Sequence, residues 1–299
     1  KEFNKRILLP SKYDLTLIIP AYNEEERLPI MLDDTIKFLK EWSIVKKITY
    51  EIIIVDDGSR DGTVNIVKRY MSSNNEIKLL KLGKNRGKGG AIKRGVRCAL
   101  GRYILMVDAD GATDIRDLDS LWTAISKIQT TSTTSTSSNT FNEDSHGFAI
   151  GSRAHLEGKS VATRSLHRTI LMYGFHLLVL LLCTRNVKDT QCGFKLFTRA
   201  TARQLFQDLH LERWSFDIEL IYVAESLSIP LVEIAVNWHE VDGSKLIQTK
   251  WDIVTTSLTM ARDMLCVRLS YLLGIWKVKA VSSSILSSSS SSPSSKQIE

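Results

Sequence analysis

Acidic residues stand at three places where a buried strand should end. Asp108-Ala109-Asp110 follows the apolar run 103–107. Two carboxylates one residue apart at a strand end direct oxygen ligands at a hard divalent cation, Mg2+ or Mn2+, which keeps several waters and bridges substrate phosphates. With such a cation bound, Asp108 and Asp110 no longer repel a diphosphate. Asp56-Asp57-Gly58-Ser59 follows the run 50–55, and Glu24-Glu25-Glu26 comes shortly after the run 15–19. Asp56 suits the ring N–H of a nucleotide base, and Tyr22 suits packing on that base. Each piece also has a plainer reading. Asp-Gly is common turn chemistry, and Ser59 or Asp61 suits the cap of a following helix. Asp-x-Asp alone is a weak signal. Three acidic ends in this order make one negative rim.

From Lys81 to Arg102 there are eight Lys and Arg and no acid. Within this stretch a glycine-rich segment, 84–90, precedes a helix, and a helix N-terminus with glycines suits an anion. It is neither a Walker A loop, since no Ser or Thr follows Lys88, nor a GxGxxG fingerprint. Lys88 is the candidate for contact with a bound donor. Lys93, Arg94 and Arg97 read as a solvated helix face.

These residues need a frame. Strands at 15–19, 50–55, 77–80 and 103–107 alternate with helices at 24–41, 61–71 and 89–100. That alternation predicts a parallel sheet covered by helices on both faces. Ligands in such sheets bind beyond the carboxyl ends of the strands, where the acidic motifs lie. The second half is less regular. Strands are expected at 148–151, 193–197 and 231–236, and helices at 165–183, near Ala200, at 216–227 and over 250–276 with a break near Gly274.

Taken in order, Pro20-Ala21-Tyr22-Asn23-Glu24-Glu25, Val55-Asp56-Asp57-Gly58-Ser59 with Asp61-Gly62-Thr63, and Asp108-Ala109-Asp110 resemble the motifs of inverting family-2 glycosyltransferases with the GT-A fold. Gly151-Ser152-Arg153 and the segments 189–197, 213–219 and 236–245 narrow the resemblance to the branch that glucosylates dolichyl phosphate at the endoplasmic reticulum. The similarity spans 15–276. It implies an α/β fold with a Rossmann-like, mostly parallel sheet flanked by helices, and C-terminal helices at a membrane interface. It further implies transfer of glucose from UDP-glucose to dolichyl phosphate with inversion, giving the dolichyl β-glucosyl phosphate used in N-glycan precursor assembly.

Carried over by position, Pro20, Tyr22, Glu24, Ile54 and Asp56 match the nucleotide-binding motif. Asp108, Ala109 and Asp110 match the donor and metal motif. Arg153 and Lys245 match basic residues that face the phosphates in related mannosyl enzymes. Those enzymes carry Arg six residues before that Lys, where this chain has His239, a departure that fits a different donor. Transfer of mannose from GDP-mannose to the same lipid is the alternative.

A phosphate acceptor is already anionic, with a second pKa of about 6. Its oxygen attacks C1 of the sugar directly, so the protein supplies positioning and charge more than a base. Asp108, Asp110 and Arg153 are therefore the candidate catalytic residues. Arginine's planar fork suits the acceptor phosphate, and Arg153, Arg164, Arg168 and Lys245 are the candidates to hold it. Arg164 and Arg168 are four apart and share a helix face. Asp217 and Glu219 read either as a residual base or ligand, or as structural acceptors for a neighbouring loop.

Composition sets the outer limits. The chain has 299 residues, 43% hydrophobic and 24% charged, with a net charge of +7. That excludes a wholly disordered chain and a polytopic membrane protein. Four cysteines without Cys-x-x-Cys spacing exclude a disulfide scaffold and a zinc ribbon, and fit a reducing compartment. The positive excess suits an anionic partner. An RNA-binding module lacks its aromatic–basic signature, and acidic strand ends repel nucleic acid. The organisation expected is an N-terminal segment 1–14, a glycosyltransferase domain 15–276 with a Ser/Thr-rich inserted loop at 130–146, and a disordered Ser-rich tail at 277–299. The resemblance implies an N-terminal membrane anchor before residue 1, with the site facing the cytosol. The apolar run 170–183 is too short to span a bilayer. It reads either as a buried core helix or, together with 253–276, as interfacial, with Trp276 at headgroup depth.

Overall fold

The computed structural model describes residues 3–132, 144–156, 184, 186–241 and 250–278. Four strands of the first half, β1 (Tyr13–Ala21), β2 (Tyr50–Asp56), β3 (Ile77–Lys81) and β4 (Gly101–Met106), pair in parallel. Helices α1 (Leu28–Lys46), α2 (Thr63–Ser73) and α3 (Lys88–Cys98) connect them, and α4 (Leu118–Ser132) follows β4. The second half adds β5 (Phe148–Ser152), β6 (Lys195–Thr198), α5 (Arg199–Gln207), α6 (Phe216–Ser226), β7 (Leu231–Ala235) and α7 (Lys250–Leu272). All seven strands form one sheet in the order β3-β2-β1-β4-β6-β5-β7. Among the described strands only β6 runs against its neighbours, antiparallel to both β4 and β5.

The strands are continuous apolar runs because both of their faces are covered. In β1, Leu15, Leu17 and Ile19 enter a core with α1, α2 and α4, while Ile18 enters a second core with α3, α5 and α6. Arg199 is a buried exception. Its guanidinium donates to the carbonyls of Gly101, Arg6 and Leu9, each at 2.8 Å, and so pins the 3₁₀ turn Phe3–Leu8 to the domain.

Two helices depart from the sequence pattern. Helix α1 begins at Leu28 rather than at 24. The Glu24 carboxylate is gripped by Arg27 at 2.6 and 2.8 Å in the preceding turn, and Pro29 favours a start just before it. Helix α4 was not apparent in the sequence and extends into the Ser/Thr stretch as far as Ser132. There the Thr130 hydroxyl satisfies itself on the Ser126 carbonyl at 2.8 Å. The remainder of that stretch, the expected helix 165–183 with its apolar run, and the tail beyond 278 lie outside the described residues.

Helix α7 packs through Met264 and Val267 and leaves Leu258, Leu265, Leu269, Leu272 and Leu273 exposed. The chain turns at Gly274, which has φ +68°. The ring of Trp276, expected at headgroup depth, stacks on His210 with ring centroids 4.1 Å apart. Among the described residues no helix is long and apolar enough to cross a membrane.

Candidate active site

The carboxyl ends of β1, β2 and β4 lie side by side, because β1 pairs with both of the others. The loop after β1 is stitched to the loop after β2. Asn23, left-handed at φ +56°, accepts from the Arg60 amide at 2.8 Å through its side chain and donates its own amide to Ser59 Oγ at 3.0 Å. The Glu24 amide donates to Thr63 Oγ1 at 2.8 Å. Tyr22 stands exposed beside this seam.

Asp56 is fully buried at the end of β2. Its Oδ1 accepts from the Ser59 amide at 3.0 Å, whereas its Oδ2 is buried without a hydrogen-bond partner. A buried acceptor left empty costs about 1–3 kcal/mol, more when charged. Such an atom marks where a ligand donor belongs.

Asp57 has a different task. It accepts from the Arg86 and Gly87 amides at 2.7 and 2.8 Å and so anchors the basic loop. Burial pushes its carboxyl up against those two donors. The same loop corrects a sequence expectation. The Gly89 and Gly90 amides at the start of α3 donate to the Arg213 and Glu212 carbonyls at 3.2 and 2.7 Å. These amides are spent on protein, not held open for an anion. What the loop delivers is Lys88, whose Nζ lies 2.6 Å from Asp108 Oδ1 with the Trp214 ring 5.7 Å away. Burial opposes the charge on Lys88. Asp108, Asp217 and Asp110 outweigh it and raise the amine above the ordinary lysine value.

Asp110 Oδ1 accepts from the Ala112 amide at 3.0 Å, and its Oδ2 lies 3.9 Å from Arg27. Asp108 is backed by Gly193. A Cβ placed there would lie 2.0 Å from Asp108 Oδ2. Among the described residues no group of three or more His, Cys, Asp or Glu could hold a metal by itself. Asp108 and Asp110 fit a cation that draws its other ligands from a diphosphate and water, the usual habit of Mg2+ and Mn2+.

Beneath this pair lies a second layer of charge. Lys195, fully buried on β6, donates to Asp217 Oδ1 at 2.8 Å and to the Cys192 carbonyl. Burial holds the Asp217 carboxyl above its usual range even with Lys195 and Lys88 nearby. Glu219 is structural. It accepts from the His210 and Leu211 amides and from the Tyr271 hydroxyl, tying α7 to the domain. Removing one partner of a buried pair strands the other. Lys195→Met is expected to lose about 3–5 kcal/mol of stability, with most of it recovered in the Lys195→Met, Asp217→Leu double variant. Urea unfolding of the three proteins checks this, and a Lys195→Met chain as stable as wild type would refute it.

Arg153, at the end of β5, is engaged by Asp189 in a two-pronged pair at 2.7 and 2.8 Å and lies 5.5 Å from the Trp238 ring. Burial alone would raise the Asp189 carboxyl. Arg153 overrides that and holds it below its usual range. Trp238 bridges to Thr113, and the amides of Asp114 and His239 donate to the carbonyls of Asn237 and Ala112. This strap closes a cleft of about 540 Å³ beside Asp110, lined also by Arg27, Met31, Arg116 and His239.

The structure thus brings Tyr22, Asp56, Lys88, Asp108, Asp110 and Arg153 to one edge of the sheet. Pro20 lies in the end of β1 itself, and Ala109 in the turn just after β4. Glu24 is occupied by Arg27, and the Ile54 side chain packs in the core rather than at the rim. Arg164, Arg168 and Lys245 fall outside the described residues. Sequence reasoning gave no role to Gly193, Lys195 or Asp189, although all three lie in the segment 189–197. A lysine in a short apolar strand was the available signal.

A seven-stranded sheet in this order, with Asp56 and the Asp108–Asp110 pair at its carboxyl edge, defines the class as a GT-A glycosyltransferase. Residues 16–206 match Glycosyl transferase family 2, and the chain belongs to that family. Within it, the chain is 52% identical over 270 residues to a dolichyl-phosphate beta-glucosyltransferase of Dictyostelium discoideum, covering 89% of this chain and 77% of that one. It is 45% identical over 280 residues to the enzyme of the same name from Homo sapiens, covering 91% and 81%. A solved structure shares the fold at 14% identity and a TM-score of 0.53. It is the mannosyltransferase PcManGT from Pyrobaculum calidifontis in complex with GDP-Man and Mn2+, covering 94% of this chain and 70% of that one.

Proposed function

We propose that this chain transfers glucose from UDP-glucose to dolichyl phosphate, with inversion at C1 and a divalent cation, at the cytosolic face of the endoplasmic reticulum membrane. The observation that carries the reading is the buried, unpartnered Oδ2 of Asp56, separated from Asp108 and Asp110 by the single strand β1. A nucleotide base that donates its ring N–H to Asp56 and rests on Tyr22 sends its diphosphate along the rim toward Asp108 and Asp110. The names of the relatives support glucose and dolichyl phosphate.

Asp108 and Asp110 would hold a divalent cation, which would supply positive charge to the departing diphosphate. The acceptor phosphate is its own nucleophile, so no side chain has to remove a proton. That agrees with the engagement of Asp217 by Lys195 and of Glu219 by backbone amides. Arg153 presents a fixed guanidinium to the acceptor phosphate, held in orientation by Asp189.

The lipid acceptor calls for a membrane surface. The exposed leucines of α7 lie opposite its packed face, with exposed Arg262 among them and Arg268 and Lys277 beside them. An apolar stripe with cationic flanks suits an anionic interface. Leu265→Glu with Leu269→Glu is expected to cut flotation with anionic liposomes at least severalfold without changing the fold. Unaltered flotation would remove α7 from the interface.

The deciding experiment supplies labelled UDP-glucose and GDP-mannose in parallel to the membrane-reconstituted chain with dolichyl phosphate, with Mg2+ or with chelator. Glucolipid from UDP-glucose, lost with chelator, is the expected result. Mannolipid would reassign the donor, and no lipid product from folded protein would refute the acceptor.

A further inference from the structure

The contact between Lys88 and Asp108 goes beyond donor binding, and its meaning rests on the metal site proposed above. Lys88 does not wander into place. Its backbone is fixed on one side by Asp57, through the Arg86 and Gly87 amides, and on the other by the Arg213 and Glu212 carbonyls, through the Gly89 and Gly90 amides. Its side chain is nearly buried and ends 2.6 Å from Asp108 Oδ1. Trp214 stands on one side of the ammonium. The negative charge of Asp217 also acts on it, and that carboxylate is in turn bound to Lys195. Gly193 leaves just enough room for the carboxylate to sit there.

We propose that Lys88 is a built-in counter-ion of Asp108, competing there with the divalent cation and yielding to it when a donor diphosphate arrives. Without nucleotide, the cation meets one carboxylate already neutralised by an ammonium and another, Asp110, partly offset by Arg27 3.9 Å away. A diphosphate changes the balance twice. It brings oxygen ligands for the cation, and it offers Lys88 a new anion. The consequence is joint loading, in which cation and nucleotide each bind weakly alone and strongly together. Linkage requires the two to strengthen each other by the same factor.

The test measures free Mn2+ by electron paramagnetic resonance during titration of the full chain, with and without UDP. Lys88→Met is expected to bind Mn2+ about tenfold more tightly than wild type in the absence of nucleotide, a coupling of ordinary size. It should also show less strengthening by UDP. Lys88→Arg keeps the charge and is expected to keep the weak nucleotide-free binding. A Lys88→Met protein no tighter than wild type, or a Lys88→Arg protein as tight as Lys88→Met, would overturn the proposal. Wild-type chain that takes up Mn2+ equally well with and without UDP would overturn it with no variant at all. If none of the proteins binds Mn2+ even with UDP, the metal site itself falls and the counter-ion role falls with it. Mn2+ uptake in UDP that persists while nucleotide-free uptake is unchanged by Lys88→Met leaves the metal site standing and removes only the counter-ion.

Discussion

Gly193→Ala is expected to lower kcat/KM for sugar transfer by about 10²-fold or more while leaving the fold almost as stable as before. The added methyl would sit 2.0 Å from Asp108 Oδ2 and 2.4 Å from its Cγ, well inside any tolerable contact. Something must move. Gly193 lies in the approach to β6, which is held by ladder bonds to β4 and β5, so its backbone is the stiffer party. The Asp108 carboxylate is the end of a side chain and yields first. Rotating it away forfeits the Lys88 contact and misplaces a ligand of the cation by an ångström or more, and displacements of that size cost about 10²-fold in rate. Thermal unfolding and UDP binding with Mn2+ should be measured beside the transfer rate. A small change in melting temperature with a large loss in both other quantities is the expected pattern. Full activity in Gly193→Ala would show that Asp108 has slack which the packing denies.

Asp56→Asn is expected to move binding and stability in opposite directions. In the folded chain one carboxylate oxygen accepts from Ser59, and the other is buried without a partner. Asparagine keeps the first contact and presents an NH2 where the empty acceptor was. A base N–H would then face another donor. Losing a charge-assisted bond costs about 1.5–3 kcal/mol and the mismatch adds to it, so UDP affinity should fall about 10²-fold or more. The nucleotide-free protein no longer buries an unbalanced negative charge, and its stability should stay level or rise. Such an exchange of stability for function is common at binding sites. Calorimetric titration of UDP and thermal unfolding of the same two proteins give both signs. Unchanged UDP affinity would remove Asp56 from the base site.

Much of this was legible in the chain. The apolar runs at 15–19, 50–55 and 103–107 announced buried strands, since a strand covered on both faces cannot alternate. The acids that follow them marked the edge where the candidate site lies. The motifs at Asp56 and Asp108–Asp110 also carried the resemblance that the family match and the named relatives bear out. Less legible was which acid does what. Asp56 and Asp57 are neighbours in sequence, yet one keeps a buried oxygen without a hydrogen-bond partner and the other holds down the Lys88 loop. The glycines at 87–90 looked like an anion cradle, but the 212–213 loop arrives from far along the chain and takes the amides of Gly89 and Gly90, while Asp57 takes that of Gly87.

By itself the sequence determined what is local or periodic. That includes the alternation of strand and helix, the acidic strand ends and the chemistry those side chains are able to do. The tertiary structure decided the pairings. It turned β6 antiparallel, so that Gly193 came to lie against Asp108 and Lys195 beneath it. It set Arg153 against Asp189, 36 residues away, and Trp276 against His210. The reason is physical. Strand propensity and apolar period depend on neighbours in the chain, whereas the charge and orientation of a buried side chain depend on whatever the fold places around it. Those partners come from positions whose separation along the chain carries no information about their distance in space.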